Sequence, residues 1–398
     1  MSKLFALKGQ IQNYAWGGQS YIPDLLNFES DEHKYAEYWL GAHVNAPAQL
    51  ETGKSLDAFV SEQGAEALGE EIFDKFGRLP YLFKVLDVHD MLSIQVHPTK
   101  AEAEKGYARE NEEGIPLTAK NRNYKDDNHK PEIMVALSEF WLLHGFLPEE
   151  QLKSSLKSTS ELNHLLEVFE QSGYKGLYQH VMEESVERTN EVLRPLIDRI
   201  LPKYEAGELQ KESADYWAAK AYLTFCPEGD IDKGIYSIYF FNIVKVMPGQ
   251  AVFQDAGIPH AYMEGQNMEL MANSDNVLRG GLTPKHVDVP ELLKHVAFEE
   301  TIPNVMEGDL QADGLERIYK SPAPDFELSK ISVQSGESYL KTAATAEILI
   351  VLQGEVQAIE GEKEIPLKRG EAVFAAAACQ YKIEADSSAV LYKASAPV

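Results

Sequence analysis

The chain has 398 residues, with 63 acidic against 37 basic side chains and a formal net charge of -26. That length exceeds the size at which a single hydrophobic core stops growing, so two or three domains are expected. An acidic protein disfavours nucleic acid and anionic membranes as main partners, and no apolar run approaches a membrane span. Two cysteines, Cys226 and Cys379, are too few for a disulfide framework and suit a reducing compartment. We expect a soluble cytoplasmic protein.

The N-terminal part mixes short apolar runs with turn-forming residues. An aromatic-rich run at 36–43 predicts a strand, and His43 at its end is interpreted as a structural histidine rather than a metal ligand. Further along, a charged helix is predicted over 101–113 and a polar loop over 121–128.

Two β-rich runs lie between these segments, at 81–88 and 91–98. In the second, Ser93, Gln95 and His97 share one face because side chains alternate along a strand. Such a polar face is typical of a solvated outer surface, or of a protein interior where Gln95 and His97 point at a metal ion. This stretch alone does not separate the two interpretations.

A further strand is predicted over 129–137. Pro131 biases Lys130 toward extended geometry, so Lys130 and Glu132 are expected on one face of that strand. An ammonium beside a carboxylate fits a surface ion pair as well as an active site.

The pattern changes between residues 148 and 220, where aliphatic residues recur at helical spacing with charges between them. We interpret this segment as a helical insertion into a β-rich chain, with a structural or lid role. Strand character is predicted to return over 234–246.

A short internal repeat links the middle of the chain to its end. Residues 248–253 recur as 369–374, with the glycine and the Ala-Val-Phe triplet identical, and extending this alignment sets His260 against Tyr381. A β-rich run, a glycine turn, a short strand and a proline-histidine pair form a cupin-like pattern. The repeat therefore predicts two related β-barrels, of which only the first could bind a metal.

The stretch 259–285 concentrates polar chemistry. Arg279 and Lys285 flank Gly280 and Gly281, which can take positive φ and bring both cations to one place. A small anionic substrate could be held there.

Candidate metal ligands come from three separate strands. Two imidazoles, one carboxylate and one amide oxygen suit a divalent ion of borderline character, zinc first, with manganese, cobalt or iron(II) as alternatives. The candidates are Gln95, His97, Glu132 and His260.

Several long motifs carry a family resemblance. They are residues 93–98, 128–132, 259–262 and 274–285, together with Tyr14, Trp16 and the run 36–41. In the same order and over nearly the whole chain, they resemble the signatures of the type I mannose-6-phosphate isomerase family. Departures are mild, at Val96 and at Ile133-Met134, and neither removes a candidate ligand.

The resemblance implies a mainly β fold with an α-helical insertion: two cupin-like jelly-roll barrels and a helical domain. The expected domains are a catalytic metal-binding domain at 1–147 and 221–285, a helical domain at 148–220, and a C-terminal jelly roll without metal ligands at 286–398. It also implies one zinc ion per chain on the four candidate ligands, with Arg279 catalytic. We further expect a phosphosugar substrate and a monomer.

Interconverting an aldose and a ketose moves a proton between adjacent carbons through an enediol, which needs a base and stabilisation of a developing oxyanion. Glu269, Lys130 and a water held by the metal are candidate proton carriers, and the residues alone leave that choice open. Arg279 could hold the phosphate or stabilise the enediolate, with Ser93 and Lys285 as further substrate contacts. The alternatives are an iron(II)-dependent cupin oxygenase and a non-catalytic sugar-phosphate-binding cupin.

Overall fold

The computed structural model describes residues 2–227 and 229–398. The chain folds into antiparallel sheets joined to one block of helices. None of the helices in these residues combines the length and the hydropathy needed to cross a bilayer.

Short strands and helices alternate in the N-terminal part. They are β1 (Leu4–Lys8), β2 (Gln10–Gln12), α1 (Tyr21–Leu25), β3 (Glu37–Gly41), β4 (Gln49–Leu50), α2 (Leu56–Gln63), α3 (Ala65–Leu68), α4 (Glu70–Phe76), β5 (Tyr81–Val88), β6 (Gln95–Val96), α5 (Lys100–Glu112), β7 (Glu132–Ala136) and β8 (Phe140–Phe146). The strands predicted at 36–43 and 81–88 and the helix predicted at 101–113 are confirmed.

The strand predicted over 91–98 is much shorter than expected, since only β6 forms a ladder. The preceding backbone is extended across two partners instead of one: Leu92 N–H donates to the carbonyl of Tyr262, and Ile94 N–H donates to the carbonyl of Gly281. Single bonds to different segments do not build a strand.

Helices fill the middle of the chain. They are α6 (Glu149–Ser158), a 3₁₀ turn (Ser160–Leu162), α7 (Leu165–Glu183), α8 (Val186–Glu205), α9 (Ala214–Phe225) and α10 (Gly234–Phe240). The helical insertion predicted from 148 is confirmed, and its helices continue past residue 220.

The strand predicted over 234–246 is wrong in its first half, which is α10; only the remainder is a strand. Every residue of α10 is buried, and its apolar side chains join the core of the other helices. An element that is buried on all sides has no polar face, so its sequence carries no periodicity that separates helix from strand.

The rest of the chain is mostly strands. The elements are β9 (Phe241–Val246), β10 (Ala251–Gln254), β11 (His260–Ala272), β12 (Leu278–Arg279), α11 (Val289–His295), β13 (Asp309–Leu310), β14 (Glu316–Tyr319), β15 (Glu327–Val333), β16 (Ser338–Thr342), β17 (Glu347–Gln353), β18 (Val356–Glu360), β19 (Lys363–Leu367), β20 (Ala372–Ala375), β21 (Gln380–Glu384) and β22 (Ala389–Ser395).

The two large sheets repeat one strand order. A ten-stranded sheet contains the path β10-β7-β11-β5-β3-β2, and an eight-stranded sheet contains β20-β17-β22-β15-β14-β13. When the six strands of each path are numbered by their order along the chain, the two paths give the same series of numbers. The two sheets therefore have the same connectivity along these paths. The eight-stranded sheet then continues from β20 into β1 and β4, so the N-terminal strand belongs to the sheet of the C-terminal part.

The repeat extends to turn geometry and register. Gly249 and Gly370, which precede β10 and β20, have φ of 88° and 87°. Glu132 pairs with the last residue of β10, and Glu347 pairs with the last residue of β20. Glu347 is therefore the counterpart of Glu132, and the repeat predicted from a few residues holds for the whole sheet path.

The interior charges of the two copies are not the same. Glu269 on β11 pairs across from Met134, two residues after Glu132, and Lys393 on β22 pairs across from Leu349, two residues after Glu347. An ammonium in the second copy thus stands where the first copy has a carboxylate.

Lys393 neutralises the second interior. Its Nζ lies 2.6 Å from Oε1 of Glu316 and 3.6 Å from Oε1 of Glu347, and all three side chains are almost fully buried. Tyr381, which the sequence aligns with His260, donates its hydroxyl to Oε2 of Glu347 at 2.6 Å. In the second copy, a lysine and a tyrosine therefore surround the counterpart of Glu132, where the first copy has its predicted metal ligands.

We expect Lys393→Met to destabilise the protein by about 3 kcal/mol, because removing one partner of a buried ion pair leaves an uncompensated charge. Glu347 would keep only the Tyr381 hydroxyl. Urea unfolding measures the loss, with Lys382→Met, an exposed lysine of β21, as the control. A midpoint equal to that of the control would contradict the assignment of Lys393 as the internal cation.

Candidate metal centre

Three of the predicted metal ligands meet inside the ten-stranded sheet. His97 follows β6 directly, Glu132 begins β7 and His260 begins β11. Their ligand atoms all lie within 4.8 Å of one another, and all three residues are buried. Nε2 of His97 is 3.3 Å from Oε1 of Glu132, and Nε2 of His260 is 3.2 Å from Oε2.

The hydrogen bonds on the far side of each ring fix its tautomer. Nδ1 of His97 faces the carbonyl of Asn276 at 2.8 Å, and Nδ1 of His260 faces the carbonyl of Ile258 at 2.9 Å. A carbonyl only accepts, so each Nδ1 carries the proton of the neutral ring. Both Nε2 atoms are then bare lone pairs, and both are buried without a hydrogen-bond partner.

The two nitrogen lone pairs face the carboxylate and repel it. A cation bound between the two nitrogens and the carboxylate would remove this repulsion, because all three groups could coordinate it. Backbone carbonyls that hold the second ring nitrogen are the usual support of metal-binding histidines. These residues therefore fit a divalent ion, and an N₂O donor set is one that zinc accepts.

The charge states agree with this role. Burial lowers the pKa of His97 to about 4, with Glu132 opposing the shift. Burial alone would raise the pKa of Glu132, but Lys130 and His97 hold it well below its ordinary value. Near neutral pH the set is a neutral imidazole and a carboxylate, the forms that bind metals.

Gln95 is placed at the same site by strand register. It pairs with His260 on one side and with Arg279 on the other. Ser93 lies two residues earlier, and the intervening Ile94 exchanges backbone hydrogen bonds with the Gly280-Gly281 turn. The structure therefore brings Gln95 between a metal ligand and the predicted catalytic arginine, with Ser93 beside the turn.

Lys130 lies beside the ligands rather than in the strand that the sequence predicted. Pairing in β7 begins only at Glu132. Nζ of Lys130 is 2.9 Å from Oε1 of Glu132, and the side chain is 10 % exposed. The predicted ammonium-carboxylate pair is therefore present and buried, which excludes a solvated surface pair.

Glu269 is paired with a buried lysine that sequence reasoning missed. Nζ of Lys84 lies 3.1 Å from Oε2 of Glu269 and 3.5 Å from Oε2 of Glu37. Burial raises the pKa of Glu269, and Lys84 opposes the shift. A lysine within β5, whose residues are buried on both faces, was the signal available in the sequence.

The two cations of the predicted anion site are free of carboxylate partners among the ion pairs of residues 2–227 and 229–398. Burial lowers the pKa of Arg279. Burial, and then the neighbouring Arg279, lowers the pKa of Lys285. Two partly buried cations, one of which disfavours the charged state of the other, provide a site for an anion.

The turn between these cations differs from the prediction. Gly281 has φ of 114°, and the second left-handed residue is Leu282 with φ of 54°, not Gly280. The carboxylate of Asp232 accepts hydrogen bonds from the N–H groups of Leu282 at 2.7 Å and Thr283 at 3.1 Å. These bonds support a backbone conformation that an ordinary leucine disfavours.

Comparisons with known proteins agree with this geometry. The family description "Phosphomannose isomerase type I, catalytic domain" matches residues 4–149. Mannose-6-phosphate isomerase of Escherichia coli K12 is 34% identical over 383 residues, covering 93% of this chain and 94% of that protein. The Homo sapiens protein of the same name is 33% identical over 408 residues, covering 94% and 93%.

A solved structure extends the likeness to the whole fold. Mannose 6-phosphate isomerase from Salmonella typhimurium, bound to substrate (f6p) and zinc, aligns with a TM-score of 0.89 at 32% identity, covering 100% of both chains. The chain therefore belongs to the type I mannose-6-phosphate isomerase family.

Proposed function

We propose that the protein is a zinc-dependent isomerase that interconverts mannose 6-phosphate and fructose 6-phosphate through an enediol. The observation that carries the proposal is the pair of bare imidazole nitrogens around Glu132. Gln95, which pairs with His260, also pairs with the unneutralised Arg279. The relatives named above support the reaction, and the Salmonella structure bound to zinc and its substrate supports the metal.

The metal site is assigned to the three donor groups that lie within 4.8 Å of one another, together with Gln95 from the neighbouring strand. Gln95, His97, Glu132 and His260 would hold one zinc ion. When bound, the ion polarises the oxygens of the sugar or fixes their geometry.

Arg279 and Lys285 bind the phosphorylated end or the developing enediolate. The guanidinium stays charged at any working pH and presents two parallel donors to an oxyanion. Ser93, next to the turn that joins these cations, is assigned a substrate contact.

Lys130 is the proton carrier that the geometry favours. Its Nζ already lies 2.9 Å from a carboxylate oxygen of Glu132, a proposed ligand of the metal. A neutral amine can remove the proton from one carbon and return it to the next. Glu269 is the second candidate, because its carboxylate is buried and paired with Lys84.

The architecture is assigned as two cupin-like jelly-roll barrels with a helical domain between strands of the first. The domains are 1–147 with 221–285, 148–220, and 286–398. The shared strand order of the two large sheets supports the pair of barrels. We also propose a monomer in the cytoplasm, and the two buried free cysteines support that location.

Removing the metal should abolish isomerisation of mannose 6-phosphate, and restoring zinc should recover it. Glu132→Gln should lower the zinc affinity by at least about tenfold, since it removes the charge that the two imidazoles share. Glu102→Gln, at an exposed carboxylate of α5, is the control. Turnover that survives complete chelation would contradict zinc dependence, and zinc-loaded protein that binds the sugar phosphate without turnover would indicate a binding protein.

Arg279→Lys should lower kcat/KM by about 100-fold, because a lysine cannot reproduce the bidentate donors of arginine. Lys285→Ala should act mainly on KM, as expected for a contact to the phosphate. Steady-state kinetics separates the two, with the exposed Lys203→Ala as the control. Equal effects of the two substitutions on kcat alone would contradict this division of roles.

Asp232→Asn should raise KM for mannose 6-phosphate and lower kcat, reducing kcat/KM by about tenfold, because weaker support of the turn displaces both cations. The amide would present a donor to the N–H of Thr283. The matched control is Asp230→Asn. In the described residues, the carboxylate of Asp230 accepts a hydrogen bond only from the side chain of Asn190 in α8. An unchanged KM would show that the turn keeps its shape without Asp232.

A further inference from the structure

One carboxylate from the C-terminal part points toward the metal centre. Oδ2 of Asp325, in the connection between β14 and β15, lies 2.8 Å from Nε2 of His129. Asp325 is 1 % exposed and the His129 side chain is 22 % exposed. Among the described residues, His129 is the one polar partner of that carboxylate.

The carboxylate is buried where the two large sheets meet. Ala323 and Phe326, on either side of Asp325, belong to the same apolar cluster as Ile133 of β7. A charge buried among apolar side chains is costly unless it is paired. The bond to His129 is therefore both the compensation for this charge and a fixed polar link between the two parts of the chain.

The backbone at His129 needs such a link. Residues 121–131 form neither helix nor strand, so side-chain bonds determine where they lie. On one side, Asn276 donates to the carbonyl of Asn128 at 2.8 Å, and the amide of Asn128 donates to the carbonyl of Asn273 at 3.2 Å. The Asp325 bond is the anchor on the other side.

We propose that Asp325 is a positioning residue for the isomerisation. Through His129 it holds the backbone of Lys130, so that the amine stays beside Glu132 and the metal. A carboxylate that accepts from Nε2–H also fixes the orientation and tautomer of the ring. The role rests on the proposed function, and it makes the C-terminal part a component of the active site.

Asp325→Asn tests the role, because the amide keeps the size of the side chain but removes the negative charge that anchors the ring. We expect kcat to fall about tenfold, with KM for mannose 6-phosphate changing less than about twofold and zinc content unchanged, since small misplacements of reacting groups act on the chemical step. Asp386→Asn, in the exposed turn between β21 and β22, is the matched control and should leave kcat unaltered.

A double-mutant cycle with His129→Asn separates positioning from a general loss of structure. If Asp325 acts through His129, adding Asp325→Asn to the His129→Asn protein should change kcat by less than about twofold. Effects that multiply in the double variant would overturn the role, as would wild-type kcat in Asp325→Asn alone. A wild-type protein without turnover would instead overturn the proposed function and this role with it.

Discussion

The fold depends on one buried carboxylate that faces two imidazole lone pairs. Glu132 cannot accept hydrogen bonds from His97 or His260, because backbone carbonyls hold the proton of each ring on its far side. Lys130 supplies one positive charge at 2.9 Å and leaves both nitrogens unsatisfied. A divalent cation satisfies the carboxylate and both imidazole nitrogens at once. Metal binding therefore also stabilises this interior of the protein.

The C-terminal part meets the same requirement by other means. Glu347 occupies the register position of Glu132, but a tyrosine hydroxyl and the Lys393 ammonium surround it. Both interiors thus keep a carboxylate at one end of a shared strand path, and they differ in the cation that neutralises it. In the second interior the partners of the carboxylate are all protein groups, whereas in the first the two unsatisfied imidazole nitrogens beside Glu132 leave a place for a metal ion.

The sequence was sufficient to single out three candidate ligands that the structure brings together, and insufficient for the residues that support them. His97, Glu132 and His260 lie in compact motifs with a strand or turn signal around each, so local chemistry identified them. The helix at Gly234–Phe240 was missed because complete burial removes the amphipathic pattern. Lys84 was missed because a strand pattern shows that a residue is buried but not which carboxylates its ammonium meets. The bond between His129 and Asp325 joins residues 196 positions apart, and no local pattern encodes it.

The carboxylates that support the site come from distant parts of the sequence, which explains why a small metal centre needs a chain of this length. The groups proposed to contact the sugar phosphate lie at or beside irregular backbone: Arg279, which ends β12, and Lys285 flank a left-handed turn, and Lys130 lies in a segment without regular structure. Irregular backbone has no ladder to hold it, so its position comes from side chains supplied by neighbouring elements. Asp232 supplies one such support from the end of the helical block, and Asp325 supplies another from the C-terminal part. Two carboxylates that lie outside the first sheet, Asp232 and Asp325, therefore support the irregular backbone around a site whose candidate metal ligands the first sheet itself provides.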